Sequence, residues 1–236
     1  MTALWRGLWF IAGLLGGGVL VLAGLYVFPF AFERRTEALL PAFSTAQTEH
    51  YVLRIPGDMV MATHGGRMPF KPMPEGVALL DAENLANTFA LVTKFRNRPD
   101  GPVIGFGTEL EMLHEGSSFL LGRLMTHTFW SVVVPGRGTV HLYETENNWQ
   151  LFKRVVLPMK WSGKAFEGRF LSVNTYGPRP GYRGMIVAGT GEFAGRQGEF
   201  IEIGRLTHMG LAGDLKGLME LRLTLPTMTE QDSTDE

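Results

Sequence analysis

Six histidines, 23 carboxylate side chains and no cysteine bound the chemistry this chain can carry. Without cysteine there is no disulfide, no thiolate nucleophile and no sulfur-anchored metal site. The histidines are His50, His64, His114, His127, His141 and His208, and none falls in a His-x-His or His-Glu-x-x-His spacing. Such spacings set two imidazoles on one face to share a zinc ion, so zinc has little support. His127 and His141 flank the turn Pro135-Gly136-Arg137-Gly138, with Tyr143 and Glu144 just beyond. A hairpin there would bring imidazole, phenol and carboxylate towards one rim, a set suited to acid/base work in a low-dielectric barrel. Simple alternation along solvated strands accounts for the same four residues with no chemistry, and the pattern favours that reading. A second cluster, Met59, Met61, His64 and Met68, gathers soft donors that suit Cu(I). Methionine is also a gap-filler, and no cofactor is expected. No Gly-x-Ser-x-Gly elbow or Ser/His/Asp order is present, which removes the usual hydrolase signature.

The elements that must position these groups begin with a membrane-spanning helix. Gly7 to Phe32 is 26 residues without a charge, and about 20 apolar residues suffice to cross the hydrocarbon core. Trp5, Trp9 and Tyr26 suit the two headgroup levels, Pro29 marks the exit, and Glu33, Arg34 and Arg35 return the chain to water. A cleaved signal peptide would need a shorter apolar run and a small-residue cleavage site behind it. Arginines flank the segment on both sides, so the orientation rests on the short N-terminus staying inside and the domain lying outside, on the periplasmic side. Gly13, Gly17 and Gly24 form a small-residue seam that would admit a partner helix, in a complex or a homo-oligomer.

Beyond a linker over 33–48, the period is two rather than 3.6. Met219, Leu221, Leu223 and Leu225 alternate on one face, as do Phe89, Leu91 and Phe95. Ile104, Phe106, Leu110 and Met112 share a face opposite Glu109 and Glu111. Further strands fit Tyr51–Ile55, Thr126–Val134, Thr139–Thr145, Phe166–Val173, Gly184–Ala188 and Glu199–Arg205, joined by Gly/Pro turns. About eight short strands over 49–226 make an all-β, eight-stranded antiparallel barrel, and residues 227–236 an acidic, disordered tail. A net charge of -1 gives no basic field for nucleic acid.

One segment carries a family resemblance. Phe166-Glu167-Gly168-Arg169-Phe170 leads through Tyr176-Gly177-Pro178 to Ala188-Gly189-Thr190-Gly191-Glu192-Phe193-Ala194-Gly195 and then Gly198. A strand ending in Gly-Thr-Gly-x-Phe-x-Gly resembles the allene oxide cyclase and dirigent barrels over Phe166–Arg205. The resemblance implies an eight-stranded, calycin-like barrel with this turn between late strands, and it transfers no catalytic residue. Read from the residues alone, Gly189 and Gly191 supply positive φ at a corner while Phe193 plugs one barrel end. A phosphate cradle would need a helix after the glycines, and Gly198–Ile203 reads as a strand.

Three functions fit this organisation. The barrel could bind an apolar small molecule such as a lipid, quinone or isoprenoid beside the bilayer, because small barrels suit one apolar ligand. It could instead be an accessory subunit docked through its Gly-rich helix. It could also mould a lipophilic substrate as a cyclase or isomerase, which needs few catalytic groups.

Overall fold

The computed structural model describes residues 3–27, 46–64, 78–79 and 88–226. The expected linker up to residue 45 and the acidic tail lie outside that set, as does Met68. The first helix, α1 (Ala3–Val27), contains one stretch, Gly7–Gly24, long and apolar enough to cross a membrane. Gly13, Gly17 and Gly24 lie along it with open space around their α-carbons.

Ten strands precede the last two: β1 (Ala46–Ile55), β2 (Met59–His64), β3 (Ala78–Leu79), β4 (Thr88–Arg96), β5 (Val103–Leu113), β6 (Met125–Val134), β7 (Gly138–Asn147), β8 (Phe166–Val173), β9 (Thr175–Gly177) and β10 (Gly184–Gly189). β11 (Glu199–Met209) and β12 (Leu215–Pro226) complete the sheet. Eight of them form a closed antiparallel barrel in the order β1-β12-β11-β10-β7-β6-β5-β4, and Val52 opposite Arg96 closes β4 onto β1. Closure pairs every barrel strand on both sides, though among the described residues only Val52–Arg96 joins β1 to β4 and only two residue pairs join β10 to β11. Asp58, fully buried, pins the seam: it accepts hydrogen bonds from the guanidinium groups of Arg54 and Arg96 while its carbonyl accepts from Lys94 N and Thr93 Oγ1. Those two cations hold its carboxyl down to about 2 despite burial.

The inside of the barrel is divided along its axis. At one end Tyr51, Leu53, Phe95, Trp130, Phe200, Leu221, Leu223 and Leu225 pack into a continuous apolar core. Phe193, from the short helical turn Gly191–Phe193, plugs this end, and Arg137 lies over its ring at 5.1 Å while pairing with Glu49 and Glu192. The Gly-rich corner is needed for two different reasons. Gly191 has φ +59°, and a Cβ there would meet the Arg137 carbonyl oxygen at 2.2 Å. Gly189, expected to share that left-handed conformation, is ordinary backbone in β10; what requires glycine there is the Phe193 carbonyl oxygen 2.3 Å from where a Cβ would be. Gly198 is likewise pressed against Thr224 O, and Gly195 takes φ +66° in open space.

At the opposite end the barrel wall parts. Beyond Gly184 and Met185, β11 leaves β10 and pairs with β8, while β7 leaves β10 and pairs with β9. Asn174 bridges the gap: its amide donates to Glu202 O and its carbonyl accepts from Asn147 N. A helical cap over residues 149–162 covers this end, Trp149–Leu151, Phe152–Val156 and Leu157–Ser162 running on as one segment. Val155, Met159 and Phe170 form its own small core with Leu151, Phe166, Leu206 and Met209. The two-residue period does not announce this helix. Leu151, Val155 and Met159, spaced by four, do carry its signal.

Candidate functional site

Strand alternation decides which groups enter the barrel, and on β5 it does so against the usual polarity. Gly105, Gly107 and Glu109 are buried on the inner face, while Phe106, Leu110 and Met112 point outward and are about half exposed. The apolar and acidic faces expected from the sequence are both there, with the acids inside. On β7 the same rule sends Val140, Leu142, Glu144 and Glu146 inward. β11 sends Phe200 and Glu202 inward. Cross-strand register then stacks these residues: Glu109 faces Trp130, Glu111 faces Thr128, and Thr128 faces Glu144.

The result is a carboxyl chamber between the apolar core and the helical cap. Oxygen atoms of Glu109, Glu146 and Glu202 all lie within 4.8 Å of one another, and all three side chains are buried. Glu202 is the best-held member. Trp130 Nε1 donates to its Oε2 at 3.2 Å, Asn174 Nδ2 to its Oε1 at 2.8 Å, and its backbone amide donates to Thr175 Oγ1 at 2.7 Å. From the cap, Asn148 Nδ2 donates to Glu111 Oε1 at 3.2 Å. Among the described residues, Glu109 Oε2, Glu146 Oε1 and the fully buried Thr128 hydroxyl have no hydrogen-bond partner.

Burying a carboxylate in low dielectric costs free energy, and neighbouring carboxylates add repulsion, so the proton is retained to higher pH. Burial, then repulsion from Glu202, raises the carboxyls of Glu109, Glu144 and Glu146 well above the ordinary range. Burial also raises Glu202, but the donors Asn174 and Trp130 oppose it and leave it at about 7. The chamber therefore holds a carboxyl poised near neutral pH among others that burial and mutual repulsion also push upward, a setting in which neighbouring acids can divide acid and base roles. Lys153 is also buried in the cap, where desolvation lowers its pKa.

The residues singled out from the sequence are distributed on both sides of the wall. Glu144 is in the chamber. His127, His141 and Tyr143 are partly exposed on the outer face. There Tyr143 OH lies 2.8 Å from His127 Nδ1, Glu115 lies 3.1 Å from His127 Nε2, and Ser131 Oγ lies 2.9 Å from His141 Nδ1. So the rim set splits: Glu144 is separated from the other three by the thickness of the sheet. Of the soft-donor set, Met59 is packed in the apolar core and Met61 is half-buried on β2. Two groups among the described residues have ligand spacing for a cation. One is Glu109, Glu146 and Glu202, whose oxygens suit a hard ion; the other is the outer trio His114, Glu115 and His127. Glu109, Glu146 and Glu202 escaped sequence reasoning. The signal was there in acids alternating with apolar residues on β5 and β7, but a strand pattern does not say which face is inside.

No protein-family model matches the chain and no characterised protein matches it by sequence. The barrel is similar in fold to dirigent and cyclase barrels of known structure. One is a pterocarpan synthase dirigent protein, with a TM-score of 0.41 and 10% identity over 79% of this chain and 97% of that one. Another is a nonspecific heme-binding cyclase of neoabyssomicin biosynthesis, with a TM-score of 0.32 and 13% identity over 90% and 80%. The Diels–Alderase AbmU from Streptomyces koyangensis gives 0.33 and 12% over 90% and 85%. Likenesses this loose transfer no residue, substrate or cofactor.

Proposed function

We propose that this chain is a membrane-tethered barrel that takes a lipophilic small molecule from the bilayer and acts on it by proton transfer, as an isomerase or cyclase does. The carrying observation is the convergence of Glu109, Glu144, Glu146 and Glu202 inside the barrel, between an apolar core and a cap. A purely structural filler would not need carboxyl groups there, because apolar residues pack the same volume without desolvation cost. An apolar body bound against the core would present its polar or unsaturated centre to the acids. One neutral carboxyl donates a proton to that centre as a neighbouring carboxylate removes one, so the substrate is isomerised with no net redox change. Burial of apolar ligand surface at roughly 25 cal/mol per Å² supplies the affinity.

The anchor reading rests on α1, and the barrel is placed on the extracytoplasmic side of the membrane. A reporter fused after Glu236 should be active outside the cytoplasm; activity confined to the cytoplasm reverses the orientation. For the ligand, the full chain extracted in mild detergent is examined by native mass spectrometry and lipid extraction. A retained lipophilic species is expected, bound by wild type and Glu202→Gln alike but converted only by wild type. Finding no bound species, and no uptake of quinones, fatty acids or isoprenoids at roughly tens of micromolar, ends this reading.

A further inference from the structure

We propose that the cap end of the barrel docks on the anionic surface of the bilayer that α1 enters, seating Phe119, Leu120 and Leu121 at the boundary of headgroups and acyl chains. This rests on the reading of α1 as an anchor. The connection from β5 to β6 carries a one-turn helix of three consecutive apolar residues, and Phe119, Leu120 and Leu121 are 54%, 68% and 55% exposed. Scattered exposed leucines need no explanation, but contiguous apolar patches do.

The fold holds this tip outward rather than leaving it loose. Ser118 and Arg123 exchange backbone hydrogen bonds across its base at 2.8 and 2.9 Å, and Gly122 turns back in the left-handed region with φ +62°. Asn147 at the end of β7 accepts from Leu124 N at 3.1 Å. The Phe119 ring stands edge-on against Trp149 and Phe152 of the cap, with centroids 5.8 and 5.6 Å away. The tip and the cap are therefore one surface, and the cap adds Trp161, 87% exposed.

The apolar character continues up the barrel wall. Leu113 precedes the tip, and on the outer faces of β5 and β6 Leu110 stands opposite Phe129 and Phe106 opposite Val133, all exposed. Around the tip and cap, Arg123, Arg154, Lys160 and Lys164 are exposed. An apolar tip with a tryptophan and a basic rim matches an anionic lipid surface, where rings and aliphatic chains enter the boundary and cations meet phosphates. The exposed Glu115 on the same connection lies against His127. Chain continuity names the occupant: only 18 residues separate Val27 from Ala46, so the barrel stays within about 60 Å of the bilayer. Docked this way, the cap over the carboxyl chamber faces lipid, and a lipophilic molecule enters without crossing water.

The absence of cysteine makes the test clean, because Leu120→Cys creates a single labelling site in the full chain. A nitrobenzoxadiazole label there is compared with one at Asp100→Cys, in the turn joining β4 to β5 at the other end of the barrel, in nanodiscs carrying nitroxide lipids. In phosphatidylglycerol-containing discs the Leu120 label should shift to the blue and be quenched, while the Asp100 label stays in water. Quenching should fall to the Asp100 level in phosphatidylcholine discs, with Lys160→Glu and Lys164→Glu together, or with Phe119→Asp added. A Leu120 label as water-exposed as the Asp100 label in anionic discs overturns the proposal. So does quenching found only in discs holding two copies or a second membrane protein. Alkaline extraction of the full chain reads the anchor separately: a chain retained in the membrane with a water-exposed Leu120 sinks the docking alone, and a chain released into solution sinks the anchor.

Discussion

At Glu202 the barrel holds a carboxyl group between opposed demands, burial pushing its pKa up and the donors Asn174 and Trp130 pulling it back to about 7. Its ordinary value is 4.5, so between about pH 4.5 and 7 the folded chain binds a proton that the unfolded chain has lost. Stability contributed by this group is therefore complete below 4.5 and is lost as pH rises towards 7. The neighbouring Glu109, Glu144 and Glu146, shifted the same way, carry the loss further upward. Asp58 works in the opposite sense and withdraws its stability as pH falls from 3.8 to about 2. Thermal melting should be highest in mildly acidic buffer and decline towards neutral pH, and Glu202→Gln should flatten that decline. A wild-type melting temperature that rises steadily from pH 5 to 8 contradicts the chamber as described. Gly191 makes a second prediction at this scale. Valine there must take a left-handed φ and clear the Arg137 carbonyl, so the domain should lose at least ~1 kcal/mol in chemical denaturation. An unchanged unfolding midpoint would mean the turn is extended backbone.

Among the elements, the seam between β1 and β4 is the narrowest part of the barrel wall, because one residue pair joins the strands there. Asp58 compensates by tying the β1–β2 connection to both: Arg54 lies on β1 and Arg96 on β4. Removing Asp58 leaves the largely buried Arg96 without its carboxylate while the half-exposed Arg54 returns to water, at a cost of about 3 kcal/mol. Asp58→Ala should therefore cost about that much in urea unfolding, and an unchanged midpoint would show that the ladder alone closes the barrel. The parting of β10 from both β7 and β11 is the other irregular element. It admits Asn174, Thr175 and the cap, and through them the polar groups of the chamber.

For the whole molecule, the apolar helix and the barrel place opposite demands on solvent. A helix satisfies its own backbone in lipid, and a closed barrel satisfies its own in water. A chain starting at Ala46 keeps all of β1 and should be soluble and rich in β-structure, which far-ultraviolet circular dichroism reads directly. A spectrum dominated by helix would overturn the fold.

Much of this was legible in the residues. Alternation at Leu221, Leu223 and Leu225 and at Leu91 and Phe95 marks faces that are buried, because burying a strand's apolar side is the main force ordering it. The 26-residue uncharged run marks α1, and the Gly-rich segment marks a corner in which Gly191 is left-handed. What alternation cannot fix is the sign of a face. Phe106, Leu110 and Met112 alternate with Glu109 and Glu111 as cleanly as any core strand, yet the register to β6 and β4 turns the acids inward. The chamber depends on that choice made jointly by β5, β7 and β11, which are distant in sequence. The cost of burying each carboxyl depends on partners that only closure of the barrel brings within reach. Pattern along the chain determined the strands, the helix and the turn; which end of the barrel holds the carboxyl groups was decided by tertiary structure.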